Sequence, residues 1–342
     1  MDKKKQMNFN LNNFLLAVKD ILDVRDIEQN NVSKNHSLRV AYLSLKIAEK
    51  LEKKPKEMFD LCAYSLFYHY IQEEHKILFG FDEFIDELAK IADFTHSIDE
   101  KFDLSKEQIK NRRDILNYVE QSEVSKYKDI FLDISNSIDF WLDLQNENIM
   151  MQYIYSTLYD FTQVLTFEEV LKITSMFGSI ENDINRLLEN CVKMTEFYGF
   201  EHKERWTFLI AASMVNFGKL SVPFDILYKK EKLTDDEYEL LKSNIYHNKN
   251  ALNSIYEFQD IAKWATRHQE RLDGFGYPSK IMAKDLSLKE RLMAVLNSYD
   301  ALVTKREYRN SFSKEEAINI LILMEKNYYL DKTIVEDFIS II

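Results

Sequence analysis

Apolar positions recur every three to four residues along most of the chain, the spacing of helices that bury one face. From His36 to Leu51 the stripe is Val40, Leu43, Ile47 and Leu51, and a second helix is expected over about 57–71. Ser105-x-x-Gln108 has the form of a capping box opening a helix over 105–121. Ile130, Phe131, Ile134, Ile138 and Trp141 fall on one side of a helix over 128–145, and a segment rich in Tyr and Met follows over 147–164. Thr166-x-x-Glu169 marks a fresh start. Ile184, Leu187, Leu188, Cys191 and Val192 form the next stripe, which ends at Gly199, and Trp206, Leu209, Ile210, Met214 and Phe217 form another. Thr234-x-x-Glu237 and Ser313-x-x-Glu316 open helices over about 235–253 and 314–327. No alternation of period two is sustained enough to make a sheet, so the expected fold is all-α.

Composition supports this reading. Among 342 residues there are only six glycines and three prolines, while hydrophobic residues make up 46%. The length suits two domains. No linker rich in Pro, Gly or Ser separates them, so we place the boundary at a helix junction, with domains over 1–160 and 161–342 packed rigidly together. A formal net charge of −12 argues against nucleic acid or an anionic membrane as partner. No apolar run approaches the ~20 residues of a spanning helix. Phe14–Val18 is too short for the apolar core of a signal peptide. Cys62 and Cys191 lie far apart within apolar helical patterns and are expected as core thiols in a reducing compartment. The expected location is cytoplasmic.

Against this scarcity of turn residues, Gly274, Gly276 and Pro278 fall within five residues of one another, in Arg267-His-Gln-Glu-Arg-Leu-Asp-Gly-Phe-Gly-Tyr-Pro278. A tight loop between helices would account for them. The residues around them also resemble the signature loop of the HD-GYP family, metal-dependent phosphodiesterases of cyclic di-GMP. Ala211–Leu220, with Val222-Pro223 and Lys232-Leu233-Thr234 beyond it, looks like the family's His-Asp segment, and Arg291–Arg309 looks like its late helix. The resemblance covers about 180–320. A weaker echo lies upstream: His36-Ser-Leu-Arg39-Val-Ala, then Tyr68-His69 thirty-two residues after the histidine, resembles the opening of an HD domain. The chain therefore looks like a tandem-HD protein with a shortened N-terminal copy.

The resemblance implies a constellation of His and Asp ligands for divalent metals. Carried over position by position, that constellation is largely replaced. Asp183 stands for the early histidine, Val215-Asn216 for the His-Asp pair, Asn244 for a later histidine, His268-Gln269 for the His-His pair and Asn297 for the late aspartate. His268 and Asp183 are the remaining metal candidates, although His268 is read more readily as hydrogen-bonded beneath the glycine-rich loop than as a ligand. Neutral amides are feeble ligands for hard cations, and valine is none. Lys219, Tyr277, Arg306 and Arg309, with Gly274 and Gly276, match positions that face the nucleotide or its phosphates in the family; Arg and Lys make charge-assisted hydrogen bonds to phosphate. Glu270, Arg271 and Asp273 are expected to brace the loop, and Asp300 to orient a helix. In the N-terminal copy His36, His69 and Asp93 are candidates to meet as metal ligands, while His96 belongs to no motif.

Three functions remain open on these grounds. The first is a catalytically inactive HD-GYP-like signalling protein that binds cyclic di-GMP or a related nucleotide through the phosphate-facing residues, with no cofactor. The second is a phosphodiesterase with a remodelled site, using divalent iron or manganese, with His247 joining Asp183 and His268. The third is an adaptor that binds a protein partner and no ligand. Trp141, Met150, Met151 and Tyr153 would serve either a homodimer seam or packing between domains.

Overall fold

The computed structural model describes residues 6–29, 31–69, 85–106, 108–121, 125–158, 162–178, 184–305 and 310–342. A strand β1 (Gln6–Asn10) leads into helix α1 (Leu11–Gln29), followed by α2 (His36–Lys50), α3 (Pro55–Leu66), α4 (Ile85–Phe102), α5 (Arg112–Glu120), α6 (Ser125–Ile134), α7 (Ile138–Asp143) and α8 (Glu147–Thr157). Strand β2 (Thr162–Thr166) then precedes α9 (Phe167–Gly178), α10 (Asn185–Phe197), α11 (His202–Ser213), a 3₁₀ turn (Phe217–Ser221) and α12 (Phe224–Leu227). The chain closes with α13 (Asp235–Ser254), α14 (Gln259–Thr266), a second 3₁₀ turn (Ala283–Asp285), α15 (Leu288–Val303), α16 (Lys314–Lys326) and α17 (Lys332–Ile341). The fold is all-α in class.

The chain divides into two compact units, Asn10–Thr162 and Gln163–Ile342, and β1 up to Phe9 groups with the second. β1 pairs with β2 in a two-stranded sheet, which corrects the expectation of no strand. Five-residue strands leave too little alternation to register in a periodicity search, and their pairing is a long-range event.

In the N-terminal unit α2 is the central helix. It packs against α3, α4 and α8, and nearly all of its residues are buried. Pro55 fixes the first turn of α3, where a missing N–H costs nothing, and the Glu57 carboxylate accepts from Lys54 N at 3.0 Å. Two expectations fail here. Ser105 opens no helix: its hydroxyl turns to Asp103 Oδ1 at 2.5 Å, Gln108 Nε2 donates to Phe102 O at 2.7 Å, and α5 begins at Arg112. The helix expected over 128–145 is two helices, because Ser137 caps α7 by accepting from Phe140 N at 3.2 Å. A serine that bonds its own backbone offers the chain an alternative to continuing the helix. Trp141 and Met150 are buried: Trp141 packs on Phe131 and Phe140 and donates to Ser135 O at 2.8 Å. They therefore offer no exposed apolar seam.

In the C-terminal unit the expected caps form. Glu169, Glu237 and Glu316 each accept from the N-cap backbone N–H, at 2.8, 2.7 and 2.8 Å. Gly199, at φ +66°, ends α10 with Phe200 N bonded to Thr195 O at 2.9 Å. The helix α11 packs against α9, α10 and α14, while α13 packs against α14 and the first 3₁₀ turn. Arg186 on α10 reaches Asp300 on α15 at 2.8 Å, so Asp300 does hold a helix in place. Cys62 and Cys191 are free and buried, and burial raises both thiols.

Candidate functional site

The loop after α14 is held almost entirely by its own residues. Glu270 is 3% exposed, and its carboxylate accepts from Ser279 N at 2.7 Å and Ile281 N at 3.0 Å. Asp273 accepts from Phe275 N at 3.0 Å and pairs with Arg271, whose guanidinium lies 3.3 Å from the centre of the Tyr329 ring. Gly274 has φ +76°, a left-handed conformation that favours glycine. Gly276 sits where a Cβ would stand 2.5 Å from Glu270 Cα and 2.6 Å from Gln269 O. These two glycines are thus explained by backbone geometry.

His268 is buried beneath this loop, with Nδ1 2.7 Å from Ala265 O. The carbonyl accepts, so Nδ1 carries the proton in the neutral ring. Burial pushes His268 down to about 4; the Ala265 bond opposes this, and the charge of Lys219 adds to it. Lys219 is half-buried on the first 3₁₀ turn. Tyr277 is half-buried, donates its N–H to Gln269 O at 3.2 Å, and is kept protonated because burial raises its phenol. Val215 is 1% exposed, Asn216, Gln269 and Asn297 are half-buried, and Asn244 is buried with Nδ2 donating to Leu241 O. Asn248 Nδ2 donates to Met214 O at 2.9 Å, which ties α13 to the residues just after α11. Gly218 lies against the Asn244 carbonyl, a contact that leaves no room for a side chain. Asp183, Arg306 and Arg309 lie outside the described residues.

A second cluster forms in the N-terminal unit. Among the described residues, His36, His69 and His96 are the group of three potential metal-ligating side chains, with ligand atoms all within 4.8 Å of one another. His36 opens α2, His69 lies just beyond α3, and His96 is on α4. His96 Nε2 is 3.5 Å from His69 Nε2. His36 turns Nδ1 to Asp99 Oδ2 at 2.5 Å, and Arg39 grips the same carboxylate at 2.7 and 2.9 Å. His36 Nε2 is buried and has no hydrogen-bond partner. Burial pushes His69 down to about 4 and His96 to about 3, with the neighbouring His36 adding to both. His69 and His96 are therefore neutral near pH 7 and offer lone pairs. Asp93, expected as the third ligand, instead accepts from the Tyr68 hydroxyl at 2.8 Å. His96, missed by motif, stands one helical turn before Asp99; that i, i+3 spacing is the signal that places it on the buried face with Asp99.

Comparison with known proteins bears on the C-terminal unit. Residues 171–334 match the model of the family described as HD domain. That stretch, a little under half of the chain, is similar to an HD domain. The chain is 26% identical over 191 residues to a 3'3'-cGAMP-specific phosphodiesterase of Vibrio cholerae, covering 53% of this chain and 44% of the relative. It is 33% identical over 141 residues to a probable cyclic di-GMP phosphodiesterase of the same organism, covering 39% and 32%. A cyclic di-GMP phosphodiesterase of Thermotoga maritima is 31% identical over 133 residues, covering 38% and 36%. The chain spans less than half the length of these curated relatives. A crystal structure of a cyclic GMP-AMP-specific phosphodiesterase of V. cholerae superposes with a TM-score of 0.57 at 16% identity, covering 98% of each chain. That likeness concerns the fold, and it extends beyond the HD domain to both units. The resemblance to the HD-GYP family is thus borne out. Among the described residues no helix is long and apolar enough to cross a membrane.

Proposed function

We propose that this chain is a signalling protein of HD-GYP type that binds a cyclic dinucleotide through its C-terminal HD domain without hydrolysing it. The observation that carries this reading is the chemistry at the positions of the expected ligands: a buried valine, Val215, and amides at Asn244 and Asn297. None of these supplies negative charge or imidazole to a divalent cation. Lys219 keeps a cation close enough to influence His268, and Tyr277 offers a protonated hydroxyl. With Arg306 and Arg309 these groups would hold phosphates directly by charge-assisted hydrogen bonds. The ligand class is taken from the relatives, whose names specify 3'3'-cGAMP and cyclic di-GMP. The same names favour a second reading, hydrolysis at a remodelled site with divalent iron or manganese.

Calorimetric titration of cyclic di-GMP and of 3'3'-cGAMP into the protein, first with a chelator and then with manganese or iron, separates these readings. Binding under chelation, weakened about tenfold or more by Lys219→Met or by removing Arg306 and Arg309, supports the receptor. Cleavage products that appear only with metal overturn it in favour of the enzyme. No binding in either condition overturns both and leaves an adaptor for a protein partner.

A further inference from the structure

We propose that His36, His69 and His96 form a transition-metal site of zinc type in the N-terminal unit, separate from the nucleotide site of the HD domain. His36 Nδ1 is committed to Asp99, which leaves Nε2 as the ring nitrogen open to an ion. That Nε2 is buried and lacks a hydrogen-bond partner, although the histidine itself is only 2% exposed. A buried polar atom with no partner costs free energy, and an ion seated among the three imidazoles would supply the partner.

The spacing suits such an ion. Two imidazole nitrogens bound to zinc at ~2.0–2.1 Å in a tetrahedron lie about 3.3 Å apart. His69 and His96 already hold their Nε2 atoms at 3.5 Å, and the whole set falls within 4.8 Å. The surroundings match those of a metal-binding histidine, whose far nitrogen is usually fixed by a carboxylate. Asp99 does this for His36 and is itself gripped by Arg39. The exposed Glu100 stands 3.8 Å from His96 Nδ1, the ring nitrogen turned away from His69.

The donor set decides the class of metal. Three imidazoles with no carboxylate in the set favour zinc, and after it copper, nickel or ferrous iron. Magnesium and calcium, which want oxygen ligands, are disfavoured. The three histidines come from the start of α2, the stretch just beyond α3, and α4. One bound ion would therefore tie α2 and α4 to the chain that leaves α3, with a fourth position left to water or a ligand.

The test uses the full chain, stripped with a chelator and loaded with zinc or cobalt alone. Retained zinc is counted after gel filtration, and cobalt is followed by its visible spectrum. The parent is expected to retain one zinc per chain that is absent from His69→Gln and His96→Gln, and its cobalt form to show the intense bands of a four-coordinate ion. Affinity should fall by more than about a hundredfold in either variant. These two positions are chosen because His36 is tied into the Asp99 network and its variants risk unfolding; circular dichroism confirms that the two retain their helices. If the HD domain also takes a metal, the parent retains two ions and each variant one. Equal zinc in parent and variants, or none in any, overturns the proposal and leaves a polar cluster satisfied by water.

Discussion

His36 Nδ1 lies 2.5 Å from Asp99 Oδ2, and the same carboxylate takes two further hydrogen bonds from Arg39. The Asp99 side chain is fully buried and that of Arg39 is 1% exposed, so this is an interior ion pair that joins the start of α2 to α4. Burial alone would raise the Asp99 carboxyl; the bonds from His36 and Arg39 outweigh it and hold the group below its usual value. Asp99→Asn leaves the guanidinium buried and uncompensated. We expect a loss of about 3–5 kcal/mol in denaturant unfolding. A loss below about 1 kcal/mol would mean that the pair contributes little beyond shape.

The glycine-rich loop makes a steric prediction. A Cβ at Gly276 would be driven into the backbone of Gln269, Glu270 and Arg271, none of which is the flexible tip of a side chain. Gly276→Ala is expected to destabilise the loop by about 1–3 kcal/mol. The check is a lowered unfolding midpoint together with faster proteolysis within 269–281.

Glu270 closes that loop from inside through two backbone N–H groups. Glu270→Ala strands both donors, at about 1–3 kcal/mol each. Cyclic-dinucleotide titration of this variant should show weaker binding even though Glu270 carries the wrong charge for phosphate. Unchanged affinity would detach the loop from the nucleotide site.

Buried histidine makes stability depend on pH. His268 is pushed by burial from 6.5 to about 4. Above pH 6.5 the ring is neutral in folded and unfolded chains alike. As pH falls below 6.5 the unfolded chain takes up the proton first, so the stability present above 6.5 is lost progressively as pH falls toward about 4. His69 and His96 act in the same direction. His268→Gln should flatten the pH dependence of unfolding between about 6.5 and 4 relative to the parent, and identical slopes would refute the assignment.

Local features were legible in the chain. The reciprocal caps at Thr166–Glu169, Thr234–Glu237 and Ser313–Glu316 involve groups three residues apart, so spacing alone determines whether they can meet. Gly199 as a helix end, and Glu270, Arg271 and Asp273 as braces of the loop, follow the same local logic. The likeness of 171–334 to an HD domain was legible because uncommon residues such as Gly274, Gly276, Tyr277 and Pro278 occur together in that stretch.

Other features were settled by competition among neighbouring partners or by long-range packing. Ser105-x-x-Gln108 has the letters of a cap, yet both side chains find better partners at Phe102 and Asp103. The pairing of β1 with β2 depends on residues from opposite ends of the long N-terminal segment. Sequence spacing named Asp93 as the partner of His36 and His69, but both Asp93 and His96 are on α4, and only the packing of α2, α3 and α4 decides which of them turns inward. Tyr68 captures Asp93, and His96 takes the interior place. A linear sequence states the type and local spacing of such groups. Which of them share a volume a few ångströms across is decided by helices that meet over dozens of intervening residues.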